Sequence, residues 1–486
     1  MSRIQLMLQS SFTALMLTCA ACGGEDDADG GTVVLPPASP APSPSPSPSP
    51  TPAPTPAGFV GAVYAGTDHV GNNSGFDEPE NFVVAYGRDV AGMLRLIDHY
   101  PTGGIGSGGV PEMDRARRLN PLMSEDSLLA VDDRYLLVVN AGSNTVTSFR
   151  INADFTLSRI DVEDTGGTLP ISLAYRAGTV YVANADEDGA FTAPSDQSGN
   201  ITALRLDTAT GELTRLDDFS LNLRGRPADL EVSPDGAFLI ASSLNASSPR
   251  LPQPTAAELT SFRIQADGTL ESNPAGTGQS TAINNVADRN LPNALGIEVY
   301  AAGGRQFVIA AEARTVSSTG TPAATFATVQ TGSISTWEMS ADGALIPRSQ
   351  DVLLGPSKSS GPLQAGYLAY SPHYSSFWVA ATSGAVIAGY GLNADGTIAR
   401  GEIVAAGAAV DPASPTPLAG ADGFGDLALS PDGRWLYQIV ALRGRIDVYE
   451  VDTLVATNIA RRYQVEPSIL ASDSLQGLVA VDRRQP

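Results

Sequence analysis

Glu312 and Arg314 stand together where an apolar run ends and a long polar stretch begins, in the segment Ala-Ala-Glu-Ala-Arg. A carboxylate at such a place could activate water as a general base, and a guanidinium could hold a substrate carboxylate or phosphate. The same two residues could instead form a salt bridge at the end of a strand. We take Glu312 as the candidate base and Arg314 as a candidate anion holder.

Arg226 and His69 are two further candidates for the same chemistry. Arg226 precedes a short strand of small residues, together with Arg224, and could point at the mouth of a channel; the alternative is a solvated loop. His69 stands beside Asp68 in a polar segment and could serve as a base, whereas a lone loop histidine can also be merely exposed to solvent. A hydrolytic site would combine Glu312 with Arg226 or Arg314.

Other kinds of site find little support in the sequence. Both cysteines, Cys19 and Cys22, lie within the first 22 residues, so the rest of the chain has no thiol nucleophile, disulfide or cysteine-ligated zinc. The three histidines are widely separated. The acidic segment 186–196 has oxygen ligands that would suit calcium, but its spacing matches no calcium loop, which favours a solvated loop. We expect no metal and no cofactor.

A repeat must position these residues. A strand that ends in an aromatic or apolar residue, followed by a tight turn, returns seven times at intervals of about 53 to 75 residues. The copies begin at Tyr86, Phe149, Leu204, Phe262, Trp337, Tyr390 and Tyr449. Before each copy the units carry a small-residue strand, a turn such as Ser-Pro-Asp-Gly, and a more apolar strand. Four strands per unit and seven units predict a seven-bladed β-propeller, an all-β fold.

The two ends of the repeat region predict how the ring closes. The first unit, from Gly58, begins with what looks like a second strand and lacks an inner one. The segment 476–481 matches the inner-strand pattern and has no unit of its own. We therefore expect the C-terminal strand to complete the N-terminal blade, which removes exposed strand edges. The long connections should all emerge on one face, and a site is expected there.

The first 57 residues read as a targeting and tethering region. A positively charged start, an apolar stretch and Ala20-Ala21-Cys22 resemble a bacterial lipoprotein signal, with Cys22 as the acylated residue; an ordinary signal peptide is the alternative. Residues 1–21 are thus expected to be the signal and residues 22–57 an acidic, proline-rich tether in extended form. Residues 58–486 form the propeller. A lipid-anchored location in the cell envelope, at the outer membrane or facing the periplasm, follows.

Charge limits the possible partners. The chain has 29 basic and 52 acidic residues, a formal net charge of -23, and Lys358 is its single lysine. Nucleic-acid binding depends on neutralising phosphates with Lys and Arg, so it is not expected. We expect a monomer that meets the membrane only through its anchor and that binds a small molecule or a surface ligand.

The repeat segments themselves resemble a known family. Residues 140–151, 233–242 and 430–440, together with the Ala-Asp-Gly turns, are similar to the seven-bladed lactonase family, which includes bacterial 6-phosphogluconolactonase-like proteins and fungal carboxymuconate cyclases. The resemblance covers roughly Gly58 to Arg484. It implies the same fold and an activity on a lactone or cyclic ester.

The resemblance is weaker at the catalytic positions. Enzymes of the family carry Gly-Pro-Arg-His at the start of an inner strand, where this chain has Gly-Arg-Pro-Ala at 225–228. They also carry an acid at the end of the next strand, where this chain has Ala-Ser-Ser-Leu at 241–244; Glu312 has the matching setting one blade further on. The sequence therefore predicts a lactonase-like propeller, with a non-catalytic ligand- or partner-binding surface lipoprotein as the alternative.

Overall fold

The computed structural model describes most of the chain after residue 57. The described residues are 58–69, 80–107, 122–185, 199–223, 226–244, 257–272, 280–282, 289–316, 330–355, 357, 364–382, 386–399, 403–405, 423–451, 459–465 and 475–483. Within them the chain forms β-strands and one short 3₁₀ turn, Ala441–Arg443. The signal, the tether and the acidic segment 186–196 lie outside the described residues.

The strands form seven antiparallel sheets, each with an inner, a second, a third and an outer strand. The inner strands are β4 (Leu128–Val131), β8 (Pro170–Arg176), β12 (Pro227–Val232), β17 (Leu291–Ala302), β21 (Ala365–Ser371), β26 (Phe424–Leu429) and β30 (Leu475–Asp482). The second strands are β1 (Gly61–Thr67), β5 (Tyr135–Asn140), β9 (Thr179–Asn184), β13 (Phe238–Ser243), β18 (Arg305–Val316), β22 (Ser376–Ala381) and β27 (Trp435–Val440).

The remaining strands lie farther from the axis. The third strands are β2 (Phe82–Arg88), β6 (Thr145–Ile151), β10 (Asn200–Leu206), β14 (Glu258–Ile264), β19 (Gln330–Met339), β23 (Val386–Leu392) and β28 (Arg445–Val451). The outer strands are β3 (Leu94–Pro101), β7 (Leu157–Asp164), β11 (Leu213–Asn222), β15 (Leu270–Ser272) with β16 (Ser280–Ala282), β20 (Leu345–Leu353), β24 (Ile398–Ala399) with β25 (Ile403–Ala405), and β29 (Ile459–Val465). We number the blades 1 to 7 from the blade that contains β1.

Blade 1 is built from both ends of the propeller, as the sequence predicts. Its inner strand is β30, which pairs antiparallel with β1, with Gly61 opposite Asp482 and Ala65 opposite Leu478. A bulge separates Ala65 from Thr67. Because β30 hydrogen-bonds to β1, the ring closes without a covalent link. The edge of β1 that faces the axis is therefore paired.

The recurring aromatic residue of each unit packs between blades. Third-strand Tyr86 belongs to one buried cluster with Trp435 and Tyr437 of the preceding blade 7. Phe149 of blade 2 shares a cluster with Tyr64 of blade 1. The same relation joins Trp337 to Phe238, Tyr390 to Phe307, and Tyr449 to Trp378. The seven-fold sequence signal is thus the core between blades, since a large ring fills the space between two sheets packed face to face.

The turns that join inner strands to second strands lie at one face of the propeller. In the two Ser-Pro-Asp-Gly turns, the amides of Gly236 and Gly433 each donate to the serine carbonyl three residues earlier, at 2.7 Å. Both glycines have positive φ, 70° and 72°, a conformation that other residues adopt at a cost. These turns join the end of each inner strand to the start of the second strand. Inner strands therefore begin, and second strands end, at the opposite face of the propeller, which we call the loop face. No helix within the described residues is long and apolar enough to cross a membrane.

Candidate functional site at the channel mouth

Residues 122–127, which we call the entrance segment, run across the loop-face end of the central channel before β4 begins. The Glu125 amide donates to the Ala228 carbonyl in blade 4 (3.2 Å), and the Ser124 hydroxyl donates to the Ile171 carbonyl in blade 3 (2.8 Å). Gln476 of blade 1 donates to the Ser124 carbonyl. Bonds to three other blades hold this segment over the channel, and its Leu122, Ser124 and Glu125 are buried.

The Glu125 side chain crosses the channel. Its Oε1 accepts a hydrogen bond from the Leu368 amide of blade 6, at 2.7 Å. In a ring of seven, blade 6 lies almost opposite blade 2. A Cβ added at Gly296 would lie 1.7 Å from Glu125 Oε2, so the carboxyl occupies the space that a side chain at position 296 would need. Glycine at this position is what allows Glu125 to reach across.

Glu125 completes a pattern of contacts between inner strands. The Ser172 hydroxyl accepts from the Leu230 amide of the next blade (3.1 Å), and Asp229 Oδ2 accepts from the Ile297 amide of the blade after that (2.9 Å). Asp426 Oδ2 accepts from the Leu478 amide of blade 1 at 2.7 Å. Gly296 stands at the equivalent position of blade 5 and has no side chain to offer.

Glu125 therefore supplies the acceptor that Gly296 lacks. The Leu368 amide is buried, and an unpaired buried amide is costly, so a carboxyl oxygen brought from blade 2 satisfies it. The entrance segment therefore supplies one of the contacts in the ring of inner strands, and it also covers the channel.

Six carboxyl groups gather around this axis, and we call them the channel carboxyls. They are Glu125, Asp126, Asp229, Glu231, Glu298 and Asp426. Burial raises the pKa of Asp229 and of Asp426 to about 7, against hydrogen bonds from backbone amides that favour the charged form. Burial also raises the pKa of Glu298 to about 8.

The other three channel carboxyls are still more strongly perturbed. Burial, followed by the charges of Asp426 and Asp229, raises the pKa of Glu125 well above its usual value. Burial likewise raises the pKa values of Asp126 and Glu231. Carboxyls raise one another's pKa here: the charges of Asp426 and Asp229 act on Glu125, and those of Glu298 and Asp229 act on Glu231. Neighbouring buried carboxyls of this kind favour the protonated form.

Arg226 lies beside the entrance segment, at the loop-face end of the channel. Its guanidinium donates from Nη2 to the Leu122 carbonyl at 2.6 Å and from Nη1 to the Met123 carbonyl at 3.2 Å. The side chain is half-buried, beside the entrance segment. Arg226 therefore places a cation at the loop-face end of the channel, and the channel carboxyls lie in the same channel. Arg224 lies outside the described residues.

Glu312 and Arg314 lie together in blade 5, but inside the blade rather than at the channel. Both are fully buried on β18, and Arg314 Nη2 donates to Glu312 Oε2 at 3.0 Å. Glu312 also accepts hydrogen bonds from the hydroxyls of Ser333 and Ser335 on β19, both at 2.6 Å. Substrate could reach this carboxylate only after rearrangement, and its role as a base stays a prediction.

The Glu312–Arg314 pair belongs to a larger network of alternating charges. Arg314 Nη2 also meets Asp351 Oδ1 at 3.2 Å, and Asp351 accepts from Arg289 Nη2 at 2.8 Å. We call Glu312, Arg314, Asp351 and Arg289 the blade 5 ion network. Burial lowers the pKa of Arg314, and the charges of Glu312 and Asp351 oppose that shift. Opposite charges compensate one another here without water.

His69 lies three blades away from Arg226, after β1 of blade 1. Its ring meets Phe82 edge-on at 5.7 Å between centroids, and its backbone amide donates to Asn81 Oδ1 at 3.2 Å. Asp68 beside it is buried and accepts from both the amide and the hydroxyl of Ser107. The structure does not bring His69 to the other candidates, and its role as a base stays a prediction.

Sequence reasoning missed the channel carboxyls. Their one local signal is an acid inside a short strand of small apolar residues, as at Asp229 in Ala-Asp-Leu-Glu-Val and Asp426 in Gly-Asp-Leu-Ala-Leu. An acid in such a strand indicates a buried carboxyl near the axis of the propeller. A buried carboxyl needs a specific partner, so a second polar group should lie beside it. In the part of the chain that the structure describes, no group of three or more His, Cys, Asp or Glu is arranged to hold a metal ion.

Comparisons with known proteins support the fold. No protein-family model matches the chain, and no curated protein is similar to it in sequence. Among solved structures, the periplasmic gluconolactonase of Pseudomonas aeruginosa superposes with a TM-score of 0.57 at 17% identity, over 87% of this chain and 100% of its own. A Bacteroides fragilis protein provisionally named a 6-phosphogluconolactonase gives 0.55 at 16% identity, over 89% and 100%.

The fold is shared more widely than one activity. A Sulfolobus tokodaii protein provisionally named selenium-binding superposes with a TM-score of 0.54 at 11% identity, over 87% of this chain and 94% of its own. At such identities the likeness describes architecture, because one fold carries many functions. The chain is a seven-bladed β-propeller, and structures named as lactonases are among those it resembles.

Proposed function

We propose that this protein is a lactonase-like hydrolase that opens a lactone or cyclic ester at the loop-face end of its channel. One observation carries the proposal: Arg226 holds the entrance segment, which covers the buried carboxyls of Asp229 and Asp426, and the pKa values of these carboxyls are close to neutral. A carboxyl that titrates near pH 7 can act as general base or acid at physiological pH, and a guanidinium can stabilise the oxyanion of an opening ester. The similarity to a periplasmic gluconolactonase supports the same reaction class.

The residue roles follow from their positions. Arg226 would hold the carbonyl oxygen or an anionic group of the substrate, and Asp229 or Asp426 would take the proton from the attacking water. Glu312, Arg314 and His69 remain alternative catalytic groups, although the first two are saturated with hydrogen bonds. The candidates therefore differ in a way that substitutions can separate.

Base titration of lactone hydrolysis by the full chain is the direct test. The panel should contain sugar, phosphosugar and muconate-type lactones. We expect Asp229→Asn to lower kcat by about 10²-fold or more, the usual effect of losing a general base, and Arg226→Ala to lower kcat/KM. Glu312→Gln and His69→Ala should have little effect, and Glu271→Gln on the exposed outer strand of blade 4 is the matched control.

A specific observation favours the alternative function. With the entrance segment in place, Asp229 and Glu125 are 0% and 4% exposed, as in a propeller that only binds ligands or partners on its loops. No turnover of any lactone, together with a lactone- or sugar-induced rise in Tm, would support a ligand-binding surface protein. Turnover that depends on Glu312 instead would keep the enzyme and move its site to blade 5.

We also propose that the protein is anchored in the cell envelope through an acylated Cys22, as a monomer. The lipoprotein-like signal motivates the anchor, and the periplasmic location of one structural neighbour fits it. Mass spectrometry of the N-terminal peptide should detect the acyl groups. Cys22→Ala should move the protein from the membrane fraction to the soluble fraction; unchanged membrane association would contradict this anchor.

A further inference from the structure

Among the contacts that hold the entrance segment, the one that reaches the far side of the channel is made by a titratable side chain. Glu125 makes the bond to Leu368 on the far side, and its other oxygen packs against the Gly296 Cα. Met123 and Asp126, on either side, adopt left-handed backbone conformations with φ of 49° and 55°. Such conformations in non-glycine residues persist only where surrounding contacts hold them.

We propose that the entrance segment is a retractable plug: it is seated while Glu125 and the other channel carboxyls hold their protons, and it leaves the channel when they ionise. The proposal does not depend on the proposed lactonase activity. It predicts two states of the channel, closed at acidic pH and open at alkaline pH.

Carboxyls face Glu125 from most of the elements packed against it. The titratable and charged groups are Asp126 in the entrance segment itself, Asp229 and Glu231 on β12, Glu298 on β17, Tyr367 on β21, Asp426 on β26, and Arg226 at the mouth. The inner strands β8 and β30 contribute Ser172 and Gln476, which do not titrate. Among the described residues no salt bridge joins a channel carboxyl to a basic side chain.

Ionisation would turn these contacts from attractive to repulsive. The charge of Asp426 opposes the ionisation of Glu125, and ionisation of both would leave two carboxylates close together in a medium of low dielectric constant. The backbone cannot move the carboxyls of β12 and β26 apart, because inner-strand pairing fixes them. The entrance segment is not part of a ladder, so it is the element that can move.

The pH range of the transition follows from the channel carboxyls whose pKa values are moderately raised. The pKa values of Asp229 and Asp426, about 7, and of Glu298, about 8, place ionisation between about pH 6 and pH 9. Opening in that range would expose Asp229 and Asp426 to solvent in the channel, whereas at pH 5.5 the channel stays covered.

Hydrogen exchange of the full chain at pH 5.5 and pH 8.5, corrected for intrinsic rates, tests the plug. We expect protection of the peptide 122–127 and of the Leu368 amide to fall at least tenfold at pH 8.5. Protection of β6 (Thr145–Ile151) should not change, because its strand partners are β5 and β7 of the same blade. In Glu125→Gln the fall should shrink to less than twofold, since the neutral amide can accept from Leu368 at any pH and gains no charge.

Three results would overturn the proposal. They are equal protection of 122–127 at both pH values, an equal loss in β6 that indicates global unfolding, and a full loss that persists in Glu125→Gln. Glu271→Gln, with an exposed glutamate, should behave as the wild type. If Glu125→Gln does not fold, Asp426→Asn removes the charge that faces Glu125 and should reduce the loss in the same way.

Discussion

The blade 5 ion network and the channel carboxyls are two buried groups of charge in one molecule, and they are stabilised in opposite ways. In blade 5, two arginines alternate with two acids, and every charge has an opposite partner within 3.2 Å. In the channel, carboxyls face carboxyls, and burial together with the neighbouring acidic charges raises their pKa values. The comparison teaches that burial alone does not determine whether a carboxyl is charged; its nearest neighbours do.

The largest expected effect is the loss of a partner from blade 5. Glu312→Ala would leave the Arg314 guanidinium buried with half of its compensation, so we expect the free energy of unfolding to fall by about 3–5 kcal/mol. Urea unfolding at pH 7 measures it. Glu271→Gln, on the exposed edge of blade 4, should change stability by no more than about 0.5 kcal/mol. A loss under about 1 kcal/mol for Glu312→Ala would show that pairing does not hold this network.

The second expected effect is a fall in stability as pH rises. The pKa of Asp229 is about 7 in the folded state and near 4 in an unfolded chain, so between those values the folded state binds more protons. Its stabilising contribution is complete below pH 4 and is lost as pH approaches 7. From pH 5 to pH 8 one such group costs roughly 3 kcal/mol, at about 1.4 kcal/mol per unit.

Urea unfolding at several pH values measures this slope. His99 acts in the opposite direction, since burial lowers its pKa, but it is a single half-buried group. Asp229→Asn should flatten the slope. Stability that rises steadily from pH 5 to pH 8 would mean that the channel carboxyls are already ionised, which would remove the contrast with blade 5.

The smallest expected effect concerns the space that Glu125 fills. A methyl group at Gly296 would meet Glu125 Oε2, so we expect Gly296→Ala to destabilise by about 1–3 kcal/mol, the usual cost of overpacking. Glu125→Ala in the same chain should remove most of that penalty, because the two sites are coupled through direct contact. Urea unfolding of the four variants of the cycle gives the coupling energy.

Gly391→Ala is the matched control for this prediction. Gly391 also lies in a strand, and an added Cβ there would make only an ordinary contact with Ala399 at 3.6 Å. Its stability should change little. Equal effects of the two glycine substitutions would indicate a general strand effect, and Glu125 would then not occupy the position that the structure gives it.

The sequence was sufficient to predict the fold because local residue patterns indicate each strand and turn of the repeat. Seven aromatic or apolar strand ends and their turns repeat along the chain, and these residues lie in the buried clusters between neighbouring blades. The closing strand was predicted at 476–481 and lies at Leu475–Asp482, since its small-residue pattern matches the other inner strands. For Arg226 the sequence left two positions open, the channel mouth and a solvated loop, and in the structure its guanidinium bonds to the entrance segment.

The tertiary structure alone decided which acids meet. Glu125 and Leu368 are 243 positions apart, and nothing in either segment names the other. Asp229, Glu298 and Asp426 each read as one acid in an apolar strand; only ring closure brings them to one axis. The protonation of a carboxyl depends on burial and on neighbouring charges, and both are properties of the assembled ring rather than of any segment.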